Sequence, residues 1–203
     1  QTAGRDKTIS PYYRDICRLN IDTGELTSLV SGDYEYSVFE PDSYQVKMRC
    51  AHGLDGTDVN GISPSGNYLV ATRSRVDKMP ISFLFDRDGN ELLTIEIAES
   101  VGLPANWQWP EPITVKAADG KTDLYGVIYR PPGFSTSKRY PILDFSCSHS
   151  AYSFVPHAAF INDDFCGEAY LAGASYAALG FVVVAMDVPG MPYRNKAFQD
   201  CGY

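Results

Sequence analysis

The run Phe-Val-Val-Val-Ala-Met-Asp at residues 181–187 constrains the fold more than any other stretch of this chain. It is rich in β-branched side chains without polar alternation, which is typical of a strand covered on both faces in a parallel sheet. Residues 165–180 carry apolar side chains at helical spacing and end on Gly180, where a helix C-terminus is expected. A shorter apolar run at residues 139–146 precedes them. The order strand, helix, strand predicts a βαβ unit, so this half of the chain is α/β.

The first half of the chain has a different pattern, of short strands joined by turns. Asp22-Thr23-Gly24 and Arg87-Asp88-Gly89-Asn90 each separate two short apolar runs, which predicts two hairpins. Asp119-Gly120-Lys121 predicts a third hairpin further along the chain. Strands that recur about every ten residues favour a meandering antiparallel sheet of the propeller or sandwich kind.

A break between the two patterns falls at residues 102–112, which hold three prolines and two tryptophans. Proline removes a backbone donor and restricts its neighbour, so this stretch is interpreted as a crossing between domains. The predicted domains are residues 1–103 and 104–203. Trp107 and Trp109 are interpreted as packing residues in preference to a ligand cage.

Composition excludes several functional classes. The chain has 25 acidic and 17 basic residues, a formal charge of -8 and no basic run, so nucleic acid is not an expected partner. No apolar run approaches the roughly 20 residues that cross a bilayer, so no membrane span is expected. The five cysteines are odd in number and widely spaced, which predicts free thiols. No metal site and no cofactor are predicted, although Cys147 and His149 form a close Cys/His pair.

Ser175 lies between small residues, as a hydrolase nucleophile would. A nucleophile elbow has glycines two residues either side of the serine, whereas Ser175 has Gly173 before it and Ala177 after it. It also precedes a strand, and the last histidine of the chain, His157, comes before it. Ser175 is therefore predicted to be an ordinary helix serine.

Residues 146–150, Ser-Cys-Ser-His-Ser, follow a predicted strand and are a second candidate. Ligand and catalytic loops of α/β sheets lie at the carboxyl ends of strands. A Cys147 or Ser148 nucleophile beside His149 is one interpretation, and a polar loop is the other. The polar loop is the favoured interpretation, because adjacent side chains on an extended chain point in opposite directions and seldom meet.

Several stretches in order resemble one family, the serine peptidases of the prolyl oligopeptidase type, in its dipeptidyl peptidase IV-like branch. The stretches cover about two thirds of the chain, and they include SPSGNYLVATRSRVDKMP (63–80), WPEPITVKAADGKTDLYGVIYRPPGF (109–134), LGFVVVAMD (179–187) and PYRNKAFQDCGY (192–203). Members of this family pair a β-propeller with an α/β-hydrolase domain. The resemblance implies that residues 1–103 are the end of a propeller and residues 104–203 the N-terminal part of a hydrolase domain.

The resemblance also implies where the catalytic residues lie. In the family the serine, aspartate and histidine follow the segment that matches residues 196–203, so the triad is expected beyond Tyr203 and this chain alone is expected to be inactive. One family position falls inside the chain, a tyrosine in Tyr-(Gly or Ala)-Gly-Pro whose hydroxyl stabilises the oxyanion. Cys147 holds that position here, and a thiol is a weak donor.

The later loop of residues 187–196 departs from the family's usual Asp-x-x-Gly-(Thr or Ser) sequence but keeps Asp187, Gly190 and Arg194. Asp187 and Arg194 carry opposite charges seven positions apart in this loop. They are predicted to pair with each other.

The function implied is that of a secreted or periplasmic serine exopeptidase that releases dipeptides from peptide N-termini. Its partners would be a peptide substrate and the remainder of the same protein, with a homodimer left open. Two alternatives stay open at this stage. A catalytically lapsed binding or scaffold module would explain the altered residues 146–150, and an α/β-hydrolase esterase would share the fold.

Overall fold

A computed structural model describes residues 2–38, 61–146, 153–160 and 166–202. The chain divides into two compact units. The first consists of Gln1–Ser74 and Pro80–Ala98, and the second of Arg75–Met79 and Glu99–Tyr203.

Among the described residues, seven strands form two sheets that lie mostly in the first unit. They are β1 (Thr2–Ala3), β2 (Arg14–Leu19), β3 (Leu26–Val30), β4 (Glu35–Val38), β5 (Tyr68–Arg75), β6 (Lys78–Asp86) and β7 (Glu91–Ile97). One sheet has the order β1-β2-β3 and the other the order β4-β5-β6-β7. The pairs β2 with β3 and β6 with β7 are antiparallel, so the two hairpins predicted in this half are confirmed.

The core of the first unit is apolar and aromatic. Its buried members are Ile16, Tyr36, Leu69, Ala71, Phe83 and Phe85. Strands β5 and β6 each contribute two of these residues at alternate positions, as expected for strands with one buried face.

The second unit contains one four-stranded sheet with a helix against it. Its elements are β8 (Glu111–Lys116), β9 (Asp123–Tyr129), β10 (Ile142–Asp144), α1 (Cys166–Ala178), β11 (Val182–Met186) and α2 (Lys196–Gln199). The strand order is β10-β11-β9-β8. The third predicted hairpin is confirmed by the antiparallel pair β8 and β9. In the described part of the chain, no helix is long and apolar enough to span a membrane.

The predicted βαβ unit is confirmed. Strands β10 and β11 are parallel, with Ile142 opposite Val182, and α1 connects them in the chain. Gly180 follows the helix with φ +103°, a conformation that favours glycine at a helix C-terminus. The sheet is mixed, because β9, which comes from the β8–β9 hairpin, pairs antiparallel with the other edge of β11. Strand β11 is nonetheless buried as predicted, with Val183 fully buried.

Helix α1 packs closely on β9 through a glycine. A Cβ atom at Gly173 would lie 2.7 Å from the Tyr129 ring, so only glycine allows this approach. The buried Tyr170 ring packs edge-on against Tyr129 at 6.1 Å between centroids. Its hydroxyl donates to the Val76 carbonyl at 3.1 Å, and burial raises the pKa of Tyr170, which keeps the phenol a donor. Val76 thereby joins the core of the second unit.

Trp107 and Trp109 pack against the same core, which confirms the packing role predicted for them. Their ring centroids are 6.1 Å apart, and the Trp107 centroid lies 5.6 Å from that of Phe160. Phe160 in turn contacts Tyr170 at 5.0 Å between centroids. These rings contact one another in series and form a continuous aromatic cluster.

The observed units divide after Ala98 and assign Arg75–Met79 to the second unit. Nothing in the sequence pattern predicted that Arg75–Met79 belongs to the second unit. The division at residues 103 and 104 into a propeller part and a hydrolase part stays a prediction.

Candidate functional site

The carboxyl ends of β10 and β11 form the candidate functional site. These strands are parallel, with Asp144 opposite Val184, so both end at the same edge of the sheet. The Phe145 N–H donates to the Val184 carbonyl at 2.8 Å, which continues the pairing one residue further. Ligand sites of open α/β sheets lie at this edge.

Ser146, the first residue of the Ser-Cys-Ser-His-Ser stretch, is attached to β11. Its Oγ accepts a hydrogen bond from the Met186 N–H at 3.0 Å. Its own N–H donates to Oδ1 of Asp144 at 3.0 Å. The chain is therefore held against the end of β11 at the point where it leaves β10.

Asp187 and Ser153 form a buried pair at the same edge. Asp187 is 0% exposed and Ser153 is 2% exposed. The Ser153 hydroxyl donates to Oδ1 of Asp187 at 2.8 Å, and Ser153 Oγ accepts from the Val155 N–H at 3.2 Å. The Asp187 N–H donates to the Tyr125 carbonyl of β9 at 3.0 Å. The bond from Ser153 is of the kind expected at a buried carboxylate oxygen.

Arg194 lies in the loop that follows β11. Its Nη1 donates to the Asp123 carbonyl at 3.0 Å, and its guanidinium lies over the rings of Tyr125 and Phe198 at 5.1 and 4.6 Å. Stacking on aromatic faces is typical of arginine. The predicted pairing of Arg194 with Asp187 stays a prediction, because the contacts described for each are with other groups.

Ser175 lies in α1, so the prediction that it is a helix serine is confirmed. It is exposed, and its hydroxyl donates to the Leu171 carbonyl one turn earlier at 2.8 Å. This bond is the usual one for a serine within a helix. Ser175 is not on a strand-to-helix turn.

Cys147, the candidate for the oxyanion position, lies outside the described residues, as do Ser148 and His149. The role of Cys147 therefore stays a prediction. Within the described ranges, no three His, Cys, Asp or Glu side chains form a group that could hold a metal ion.

Sequence reasoning missed Ser153. It lies in the stretch Ser-Phe-Val-Pro-His-Ala-Ala-Phe, whose pattern gives no sign of a buried polar contact. The only signal available was its place shortly after a predicted strand.

The curated proteins similar to this sequence include dipeptidyl peptidases. No protein family model matches the chain. Dipeptidyl peptidase 8 of Mus musculus and that of Homo sapiens are each 30% identical to it over 103 residues. The match covers 51% of this chain and 11% of each relative, so the chain spans a small part of their length.

Solved structures share the fold. Dipeptidyl peptidase 4 of Porphyromonas gingivalis superposes with a TM-score of 0.62 at 21% identity, over 96% of this chain and 24% of that one. A Bacteroides ovatus protein named as a candidate dipeptidyl aminopeptidase IV gives 0.61 at 21% identity, over 92% and 23%. The resemblance to the dipeptidyl peptidase IV-like branch is confirmed. The chain shares with these structures the predicted fold class, antiparallel propeller-like strands followed by the N-terminal part of an α/β-hydrolase domain.

Proposed function

We propose that this chain is part of a serine-type peptidase that hydrolyses peptide bonds and releases dipeptides from peptide N-termini. The observation that carries the proposal is the 30% identity to dipeptidyl peptidase 8 over 103 residues. The unit of β10, α1 and β11 supports it, because a parallel pair with its crossover helix is the framework on which hydrolase sites are built.

In this proposal the chain supplies framework, and the nucleophile, its aspartate and its histidine lie outside residues 1–203. The position of Ser175 supports the proposal that the nucleophile lies elsewhere, because its hydroxyl is on the helix surface and donates to the Leu171 carbonyl. A peptide is the substrate, and no cofactor is required.

Fluorophosphonate labelling of the complete protein, with hydrolysis of Xaa-Pro p-nitroanilides, tests the proposal. We expect peptide mapping to place the label on one serine outside residues 1–203, and we expect the 203-residue chain alone to remain unlabelled. Ser175→Ala in the complete protein is the matched control and should label like the parent. Hydrolysis of aryl esters without hydrolysis of dipeptide amides would support an esterase and contradict the peptidase.

A lapsed relative is the second candidate function. The Ser-Cys-Ser-His-Ser stretch at residues 146–150 favours it, because Cys147 replaces a tyrosine hydroxyl of the family motif. Loss of one oxyanion donor costs on the order of 2.7 to 4 kcal/mol of barrier. A complete protein that folds, takes no label and hydrolyses no dipeptide amide would be such a binding module, and the peptidase proposal would be wrong.

A further inference from the structure

Tyr193, in the loop that follows β11, has a backbone conformation that large side chains rarely adopt. Its φ is +69°, in the left-handed region. Within the described ranges, Phe160, with φ +54°, is the only other residue besides glycine with a positive φ. This conformation is unfavourable for a bulky residue, and it persists only where the surrounding structure imposes it. Such strain is concentrated at functional sites, so the tyrosine at this position calls for an explanation.

The loop is held in place on both sides of Tyr193. Before it, Met191 is 0% exposed, and its N–H donates to the Val188 carbonyl at 3.2 Å. After it, Arg194 donates through Nη1 to the Asp123 carbonyl of β9 at 3.0 Å. These contacts restrain the backbone on either side of Tyr193, which is the condition under which a left-handed tyrosine can persist.

The two residues with this strain differ in their surroundings. The Phe160 ring contacts those of Trp107 and Tyr170 at 5.6 and 5.0 Å between centroids, so packing accounts for its conformation. Tyr193, in contrast, is 57% exposed. Its loop starts at the carboxyl end of β11, the edge at which ligand sites of open α/β sheets lie. A ring held rigidly and exposed at that edge is suited to contact a ligand.

We propose that Tyr193 is a substrate-contacting residue, whose ring packs against an apolar side chain of the bound peptide, such as the proline ring of an Xaa-Pro dipeptide. This inference rests on the proposed function, which supplies the peptide. A tyrosine ring offers a flat apolar surface with a polar tip, which suits it to such a contact. A ring that the loop already holds in one orientation loses little conformational entropy when the peptide binds.

Kinetics of the complete protein give the first test. Tyr193→Asn removes the ring, and asparagine tolerates the left-handed conformation. We expect this variant to raise KM for an Xaa-Pro p-nitroanilide by about 5- to 30-fold with little change in kcat. Tyr193→Phe keeps the ring and should stay within about 2-fold of the parent KM. Tyr68→Asn is the matched control, because Tyr68 is a 50% exposed tyrosine on β5. An unchanged KM in Tyr193→Asn, or an equal rise in Tyr68→Asn, overturns the inference.

Stability separates a substrate contact from a packing role. We expect the urea midpoint of Tyr193→Asn to equal or exceed that of the parent, because the substitution relieves backbone strain. Phe160→Asn is the comparison, and its midpoint should fall because the ring belongs to the aromatic cluster. A fall in Tyr193→Asn as large as that in Phe160→Asn would show that the Tyr193 ring supports the fold, and it would overturn the inference.

Peptide binding distinguishes failure of this inference from failure of the proposed function. If the complete protein hydrolyses no dipeptide amide and takes no fluorophosphonate label, the proposed function fails. Fluorescence anisotropy with an Xaa-Pro peptide labelled at its C-terminus then tests Tyr193 alone. We expect Tyr193→Asn to weaken binding of this peptide by about 5- to 30-fold. Equal binding by parent and variant, or no binding by the parent, overturns the role of Tyr193.

Discussion

At the scale of single residues, Asp15 shows how burial acts on a carboxyl group. It lies on β2 and is 5% exposed, and its Oδ1 has no hydrogen-bond partner among the residues that the structure describes. Burial raises the pKa of Asp15, against the attraction of Arg5 and a hydrogen bond from the Gly32 N–H. Asp187 is also buried, and its Oδ1 receives the Ser153 hydroxyl.

The raised pKa of Asp15 predicts a pH-dependent stability. A carboxyl group whose pKa is higher in the folded protein stabilises it at low pH, and that contribution is lost as pH rises through the folded pKa. We therefore expect Asp15→Asn to increase the free energy of unfolding at pH 7 by about 1 kcal/mol and to change it little at pH 3. Urea unfolding at the two pH values measures this. Asp22→Asn, in an exposed turn, is the control, and a matching response in both variants would contradict the prediction.

At the scale of elements, the β8–β9 hairpin depends on Asp119 in its turn. The Asp119 carboxylate accepts from the N–H groups of Lys121 and Thr122 at 2.8 Å each, and from the Thr122 hydroxyl at 2.6 Å. These bonds, the Thr122 hydroxyl first, lower the pKa of Asp119 to about 2. The same contacts hold the two strands in register at the turn.

Acid should weaken this hairpin turn. A lowered pKa means that the carboxylate stabilises the fold above pH 3.8 and loses that effect as pH falls towards 2. We expect Asp119→Ala to lower the melting temperature at pH 7, with the difference from the parent narrowing below pH 4. Asp22→Ala is the control, because the Asn20 carboxamide accepts the backbone donors of that turn. A difference that stays constant down to pH 2 would count against the role of the Asp119 charge.

The contact between α1 and β9 makes a second prediction at this scale. Gly173→Ala would place a Cβ 2.7 to 3.0 Å from three ring atoms of the buried Tyr129. Overpacking costs about 1–3 kcal/mol, more than the roughly 1 kcal/mol that alanine gains over glycine in a helix. We expect a net loss in the free energy of unfolding, measured in denaturant. Ser175→Ala, exposed on the same helix, should change it by less than about 0.5 kcal/mol. A Gly173→Ala protein as stable as its parent would mean that Tyr129 can move.

At the scale of the whole molecule, local patterns predicted the elements and missed the contacts between distant residues. The run at 181–187 identified β11, and the three turn motifs identified the hairpins, because hydrophobic period and turn chemistry act over a few residues. The hydrogen bond between Ser153 and Asp187 joins residues 34 positions apart, and that between Tyr170 and Val76 joins residues 94 apart. Contacts at such separations leave no periodic signal in the sequence.

The candidate site was predicted only in part, again because local patterns do not show contacts between distant residues. Its location after β10 followed from the strand pattern, and Ser175 was excluded because glycine spacing and chain order are local properties. Which serine is buried against Asp187 depends on how the chain returns to the sheet. That return is a tertiary property, so it had to be read from the structure.

The second unit is discontinuous in sequence, because Arg75–Met79 belongs to it although its other residues start at Glu99. Excising residues 104–203 at the predicted boundary would leave Val76 behind and remove the acceptor of the Tyr170 hydroxyl. If this half is grafted onto another protein or produced alone, Arg75–Met79 must therefore be joined to it through a linker.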